Sequence, residues 1–299
     1  MLSPIKQLFL LCLAASFAQV VLAQETVAFY FAAHEDDWQL FMSPNAYRDA
    51  QSSSTKVVFV YLTAGDGGAG VGNAGRSQPY YLARENGAKL SAMLIANAAN
   101  NPVTPTGSEA SIAGHTVTRW IYGRTVSYFF RLPDGNMDGA GYDSTGLQSL
   151  RRLHEGALAS MTAVDSSATY RDWADLMRTL RDLIDRERGQ ASTVWVNVPD
   201  TDVTKNPGDH SDHQQMAGGV LEAIRGLSCI GTTFYLDYVL ATLDENASSQ
   251  DRDIKAAAFA ATAVGLNMMD HPSNWDQQHR SLLGRHSFRT VPGTGHCAK

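Results

Sequence analysis

Nowhere does this sequence gather its basic residues: 24 lysines and arginines are scattered among 30 aspartates and glutamates, for a formal net charge of −6. Nucleic acid and anionic membrane surfaces both require a basic run or face, and its absence argues against either partner. Repeats and low-complexity tracts are missing too. Cysteine is scarce. Of the three, Cys12 lies in an apolar leader, so Cys229 and Cys297 are left as the one candidate bridge, which in an oxidising compartment would tether the C-terminal tail. The apolar segment Leu8 to Ala23 is shorter than the ~20 residues a spanning helix needs and contains Gln19. The glycine-rich stretch Thr63 to Gly70 has neither the spacing nor the lysine of a phosphate-binding loop.

What is present begins with that leader. One charge, Lys6, precedes it, and Val21-Leu22-Ala23 before Gln24 has the small-residue form of a cleavage site. The sequence thus predicts a signal peptide over 1–23 and a secreted or periplasmic mature protein without a transmembrane segment. A hydrophobic content of 44% is ordinary for a globular domain. The expectation is one domain over 24–299, in which 241–299 is an extension without a recognisable motif.

The central stretch is Phe29 to Ala33, an aromatic-rich apolar run that ends abruptly in His34-Glu35-Asp36-Asp37. Such a run reads as a buried strand, with Asp36 or Asp37 placed to cap a helix beginning near Trp38. Further strands are expected over Lys56–Leu62, His115–Tyr122, Val126–Leu132, Ser192–Pro199 and Thr232–Leu240. Helices are expected over Pro79–Asn97, Leu147–Ala159, Tyr170–Arg188, Gln214–Leu227 and Arg252–Met268, with Asn100–Gly114 as loop. In the first of these helices Ala83, Gly87, Leu90 and Leu94 form an apolar stripe. Strands alternating with helices imply an α/β fold, a Rossmann-like and mostly parallel sheet with helices on both faces.

A second polar cluster, Asp209-His210-Ser211-Asp212-His213, again stands between a strand and a helix. In an open α/β sheet that is where ligands bind, and capping alone does not explain two such clusters. A catalytic zinc takes three protein ligands and keeps one position open. His34, Asp37 and His213 supply such a set, one ion per chain. Asp36 is then left as general base, and His210, as an imidazolium, as the group that stabilises a developing oxyanion. Arg84 and Glu85 read equally well as a surface ion pair, and Asp134, in Pro133-Asp134-Gly135, as a turn residue.

Ala33-His34-Glu35-Asp36-Asp37 resembles the Ala-His-x-Asp-Asp signature of the PIG-L/LmbE-type zinc de-N-acetylases, and His210-Ser211-Asp212-His213 their His-x-Asp-His. Thr63-Ala64-Gly65-Asp66-Gly67-Gly68, Arg84 and Arg131-Leu132-Pro133-Asp134-Gly135 match weaker features of that family, in the family's order, between Val27 and Leu240. The resemblance implies an LmbE-like fold and hydrolysis of an N-acetyl group from an amino sugar or glycoconjugate. It also implies metal ligands His34, Asp37 and His213, base Asp36, oxyanion stabiliser or acid His210, and substrate contacts at Arg84 and Asp134. Two departures stand out. Glu35 replaces a common proline, and Gly208 stands where some members place a tyrosine. Two other readings accompany this one: a zinc amidase on a sugar conjugate, and a catalytically silent metal-containing carbohydrate-binding protein. His271, His279 and His286 read as surface or structural residues.

Overall fold

The computed structural model describes residues 25–98 and 103–297, so the expected signal peptide lies outside the described residues. The chain runs β1 (Thr26–Ala32), α1 (Asn45–Gln51), β2 (Thr55–Thr63), α2 (Tyr80–Ala98), β3 (Thr106–Ile112), β4 (His115–Tyr122), β5 (Thr125–Leu132) and α3 (Leu150–His154). It continues through β6 (Met161–Thr162), β7 (Thr169–Tyr170), α4 (Trp173–Arg188), β8 (Thr193–Pro199), α5 (Ser211–Ala223), β9 (Ile230–Tyr235), α6 (Ser249–Met268), α7 (Gln277–Arg280) and β10 (Phe288–Val291). Among the described residues no helix is long and apolar enough to cross a membrane.

Eight strands form one sheet in the order β10-β9-β8-β1-β2-β5-β4-β3. The five central strands β9, β8, β1, β2 and β5 are parallel, and the flanking strands are antiparallel. From β1 the chain winds one way to β2 and β5 and later the other way to β8 and β9. That places a topological switch point beside β1. Strand β1 is buried on both faces because its side chains alternate between two cores. Val27, Phe29 and Phe31 pack with α4 and α5, while Ala28, Tyr30 and Ala32 face α1, α2 and α6.

The mostly parallel α/β sheet is as expected, and the differences lie at its margins. Residues 106–112, expected as loop, form edge strand β3, paired with β4 through a tight Ala113–Gly114 turn in which both φ are positive. Its sequence is polar and mostly exposed, so it carries no hydrophobic signal. The helix expected over Leu147–Ala159 shrinks to α3. The strand expected to reach Leu240 ends at Tyr235, and Tyr238–Thr242 turns helically. On α2 the buried positions include Ala88, Ala92 and Ile95, whereas Leu94 is exposed. Helix α6 explains the shift: it crosses α2 at Gly87 and Gly265, where a Cβ on Gly265 would lie 2.4 Å from the Gly87 Cα. Burial against both sheet and helix erases a single stripe.

The region after Leu240 is built into the same sheet and helix layer. Strand β10 pairs with β9, Lys255 donates from α6 to the Leu282 carbonyl at 3.0 Å, and Cys297 is disulfide-bonded to Cys229. That bridge closes a sequence separation of 68 residues. Replacing both cysteines with serine is expected to cost about 2–4 kcal/mol through the freer unfolded chain, read from the denaturant midpoint. An unchanged midpoint would mean that β10 pairing alone secures the tail.

Candidate metal centre

All five parallel strands deliver polar residues at their carboxyl ends: His34 to Asp37 after β1, Gly65 and Asp66 after β2, Asp134 after β5, Asp209 to His213 after β8, and Asp237 after β9. Thr63 fastens the ends of β2 and β1 together, its N–H and hydroxyl both donating to the Ala33 carbonyl at 3.0 and 2.8 Å. Asp37 does not cap the following turn with its side chain. It accepts the His34 N–H at 2.7 Å instead, which folds the His-Glu-Asp-Asp segment into a compact loop. His213 lies in the first turn of α5 rather than in the loop before it, because His210 is the N-cap and accepts the Asp212 N–H.

Three atoms from 179 residues apart converge. His213 Nε2 is 3.2 Å from Asp37 Oδ1 and 3.3 Å from His34 Nδ1, and the latter two are 3.6 Å apart. A tetrahedral zinc with ordinary nitrogen and oxygen bonds spaces its ligands about 3.3–3.6 Å apart, so the predicted set fits the ion. All three residues are buried.

The other nitrogen of each ligand imidazole faces carboxylates. His213 Nδ1 lies 2.8 Å from Asp209 and 2.9 Å from Asp237, and its ring is stacked against Tyr238. His34 Nε2 is buried, without a hydrogen-bond partner among the described residues, and lies 3.6 Å from Asp212 Oδ2 and 3.9 Å from Asp134. Burial works against protonating either ring, but Asp37 and these acids outweigh it. They push His34 up to about 10 and His213 well above the usual imidazole range. A pocket that makes cations of its own histidines is a pocket electrostatically prepared for a cation. Burial and the neighbouring Asp209 push Asp237 up as well, well above the carboxylate range and toward its neutral form.

Burial, followed by the charges of His34 and His213, pushes His210 down to about 3, a direction that favours the neutral ring over the expected imidazolium. Its Nδ1 accepts the Asp212 N–H at 3.1 Å, which leaves Nε2 to carry the ring proton. Arg84, the expected substrate contact, is not paired with Glu85: its guanidinium sits between Glu35, with Nε 3.0 Å from Oε2, and Asp36. Gly65 makes room for that pair: at φ +50° its Cβ would stand 2.6 Å from Glu35 Oε2. Glu85 instead binds Arg131 and Lys89. Asp134, the other expected substrate contact, accepts N–H groups from Asn136 at 2.8 Å and Gly67 at 3.3 Å, clasping the glycine loop to the β5 turn.

Four participants went unassigned in the sequence. Asp209 and Asp212 stand inside the second cluster, and their proximity to histidines was the available signal. Asp237 and Asn274 had none. Asn274 donates to Asp36 Oδ2 at 2.8 Å, so Asp36 is gripped from α2 by Arg84 and from the C-terminal region by an amide. His271 is buried, with Nε2 2.8 Å from the Gln78 carbonyl, a structural position as expected.

No protein-family model matches the chain, and no curated protein matches it. Solved structures similar to it include the N,N′-diacetylchitobiose deacetylase from Pyrococcus horikoshii in complex with its inhibitor MPG, at 16% identity and a TM-score of 0.47 over 90% of this chain and 84% of that one. A deacetylase from teicoplanin biosynthesis is 12% identical, with a TM-score of 0.43 over 82% and 85% of the two chains. The 4-carboxy-2-hydroxymuconate hydratase from Pseudomonas putida KT2440 is 12% identical, with a TM-score of 0.42 over 86% and 82%.

Carboxylates that orient ligand imidazoles typically contribute 10–100-fold to metal affinity. Asp212→Asn, which leaves all three ligands in place, is expected to weaken zinc binding by about that factor. Competition with a chromophoric chelator measures it. Wild-type affinity in the variant would remove Asp212 from the orientation of His34.

Proposed function

We propose that this chain is a secreted zinc-dependent hydrolase that removes the N-acetyl group from an amino sugar or glycoconjugate. The observation that carries the reading is the ligand triangle of His34 Nδ1, Asp37 Oδ1 and His213 Nε2 at zinc spacing, formed by the residues whose motifs resemble the PIG-L/LmbE deacetylases. The leader over 1–23 supports export.

Bound there, zinc supplies a Lewis acid and brings the pKa of a water near 7. The chain's own residues do the rest. Asp36, next to a ligand but outside the triangle, takes the proton of the attacking water. A carboxylate offers about four acceptor sites, and Arg84 and Asn274 occupy one on each oxygen while holding the group in place. As the water oxygen bonds to the acetyl carbon, the carbonyl oxygen gains charge, and the neutral His210 ring donates to it through Nε2–H. The C–N bond then breaks, and the proton held by Asp36 passes to the leaving nitrogen, releasing acetate and the free amine. Gly208 offers no hydroxyl for the oxyanion, so that task rests on His210.

Asp36→Asn is expected to retain zinc while acetate release from N-acetylglucosamine oligomers falls ~10²–10⁴-fold in kcat. Asp37→Asn is expected to lose zinc, and added metal to restore part of its activity. Zinc content and acetate release are measured on both variants at limiting and saturating metal. Normal turnover by Asp36→Asn would sink the proposed mechanism.

A further inference from the structure

A cavity of about 260 Å³ opens on the α1 face of the sheet, between α1 and strands β8, β9 and β10, and shares no residue with the metal centre. Its floor is polar where a sheet core is normally apolar. Tyr30 in β1 donates its hydroxyl to Asp49 of α1 at 2.7 Å, and Tyr235 in β9 donates to Asn197 of β8 at 3.0 Å while accepting from Asn45 at 2.9 Å. Asn197 in turn donates to the Phe29 carbonyl at 3.0 Å. Buried polar groups cost stability unless satisfied, and here they are locked into fixed orientations facing an opening.

The walls are aromatic. The six-membered ring of Trp195 lies over Gly231 of the neighbouring strand, where a Cβ would approach it to 2.6 Å, so the glycine makes room for the indole. Phe288, on edge strand β10, is 41% exposed. The Trp195 indole and the Thr233 and Thr290 side chains complete the lining. Arg48, also in the lining, is paired with Asp251 at 2.6 Å.

We propose that this cavity is a carbohydrate subsite that takes one neutral pyranose unit of a glycan. Axial C–H groups of a sugar ring, slightly positive, fit the negative faces of Trp195 and Phe288. Sugar hydroxyls fit the Asp49 carboxylate, the Asn45 amide and the two threonines, which both give and accept hydrogen bonds. A purely apolar ligand would leave that floor unpaired. The proposal does not rest on the deacetylase reading, since no group in the cavity is asked to react.

The test is calorimetric titration of the zinc-loaded protein with cellotriose, mannotriose and chitotriose. The first two lack an amide, so no deacetylation contributes to their heats. At least one trisaccharide is expected to bind, and Trp195→Ala to weaken it about tenfold or more. Thr290→Arg, on an exposed edge strand, fills the cavity without touching the core and is expected to do the same. In both variants zinc content and the thermal unfolding midpoint stay at wild-type levels. Absence of binding across the panel overturns the proposal. So does binding that both variants leave intact, or binding that only His213→Ala removes, which would place the sugar at the metal centre.

Discussion

Six aspartates, Asp36, Asp37, Asp134, Asp209, Asp212 and Asp237, are buried around three histidines and one arginine at the carboxyl ends of the parallel strands. Charges taken out of water cost several kcal/mol each unless paired, and even with Asp237 pushed toward its neutral form the remaining acids outnumber the protein's own cations. Arg84 is shared between Glu35 and Asp36, His210 is pushed toward its neutral form, and His34 and His213 are drawn into cationic forms. A divalent ion held by His34, Asp37 and His213 would relieve that imbalance where it is greatest, and would couple metal affinity to fold stability. Thr63 on the Ala33 carbonyl, Asp212 on the Gly135 N–H and Asp134 on the glycine loop are the means by which the strand ends are held against mutual repulsion.

The fold was legible where burial imposes one pattern. Strands β1, β2, β5 and β8 are buried on both faces, and their aromatic and β-branched runs mark them directly. Helix α4 faces one core only, and Leu176, Leu180, Leu183 and Ile184 recur at helical spacing. Legibility failed where environment, not local sequence, decides. Strand β3 is polar because it lies at the sheet edge, and pairing with β4 rather than hydrophobicity makes it a strand. Helix α2 touches sheet and α6 together, so no one stripe describes it. Strand β9 stops two residues before Asp237 because that acid turns to His213, a demand invisible in Leu236 to Leu240.

At the site the distinction is similar. Candidate metal ligands are restricted by chemistry to few residue types, so the two His/Asp clusters that the fold brings together were visible at a distance of 179 residues in sequence. The state of a side chain is set by what surrounds it. His210 was legible as a member of the second cluster, but its protonation was not, because that depends on burial and on two other imidazoles. Arg84 was legible near the site but not as a clamp, because the pairing requires Gly65 to leave space beside Glu35. Glu35 shares the guanidinium that would otherwise bind Asp36 alone.

The C-terminal region without motif shows why supporting parts are silent in sequence. Asn274 needs only an amide within reach of Asp36, and β10 needs only backbone to extend the sheet past β9. Many sequences provide either, so neither leaves a signature. Both nonetheless sit at decisive places. Arg289 of β10 forms a two-pronged ion pair with Asp200 at 2.7 and 2.8 Å, at the end of the strand that leads to His210 and His213, while the other side of β10 walls the aromatic cavity with Phe288 and Thr290. Asp200 also accepts no freedom on its backbone side, since its N–H donates to the Tyr235 carbonyl at 2.7 Å, and Tyr235 forms part of the cavity floor. One antiparallel strand thus braces the loop carrying His210 and His213 and closes the second pocket.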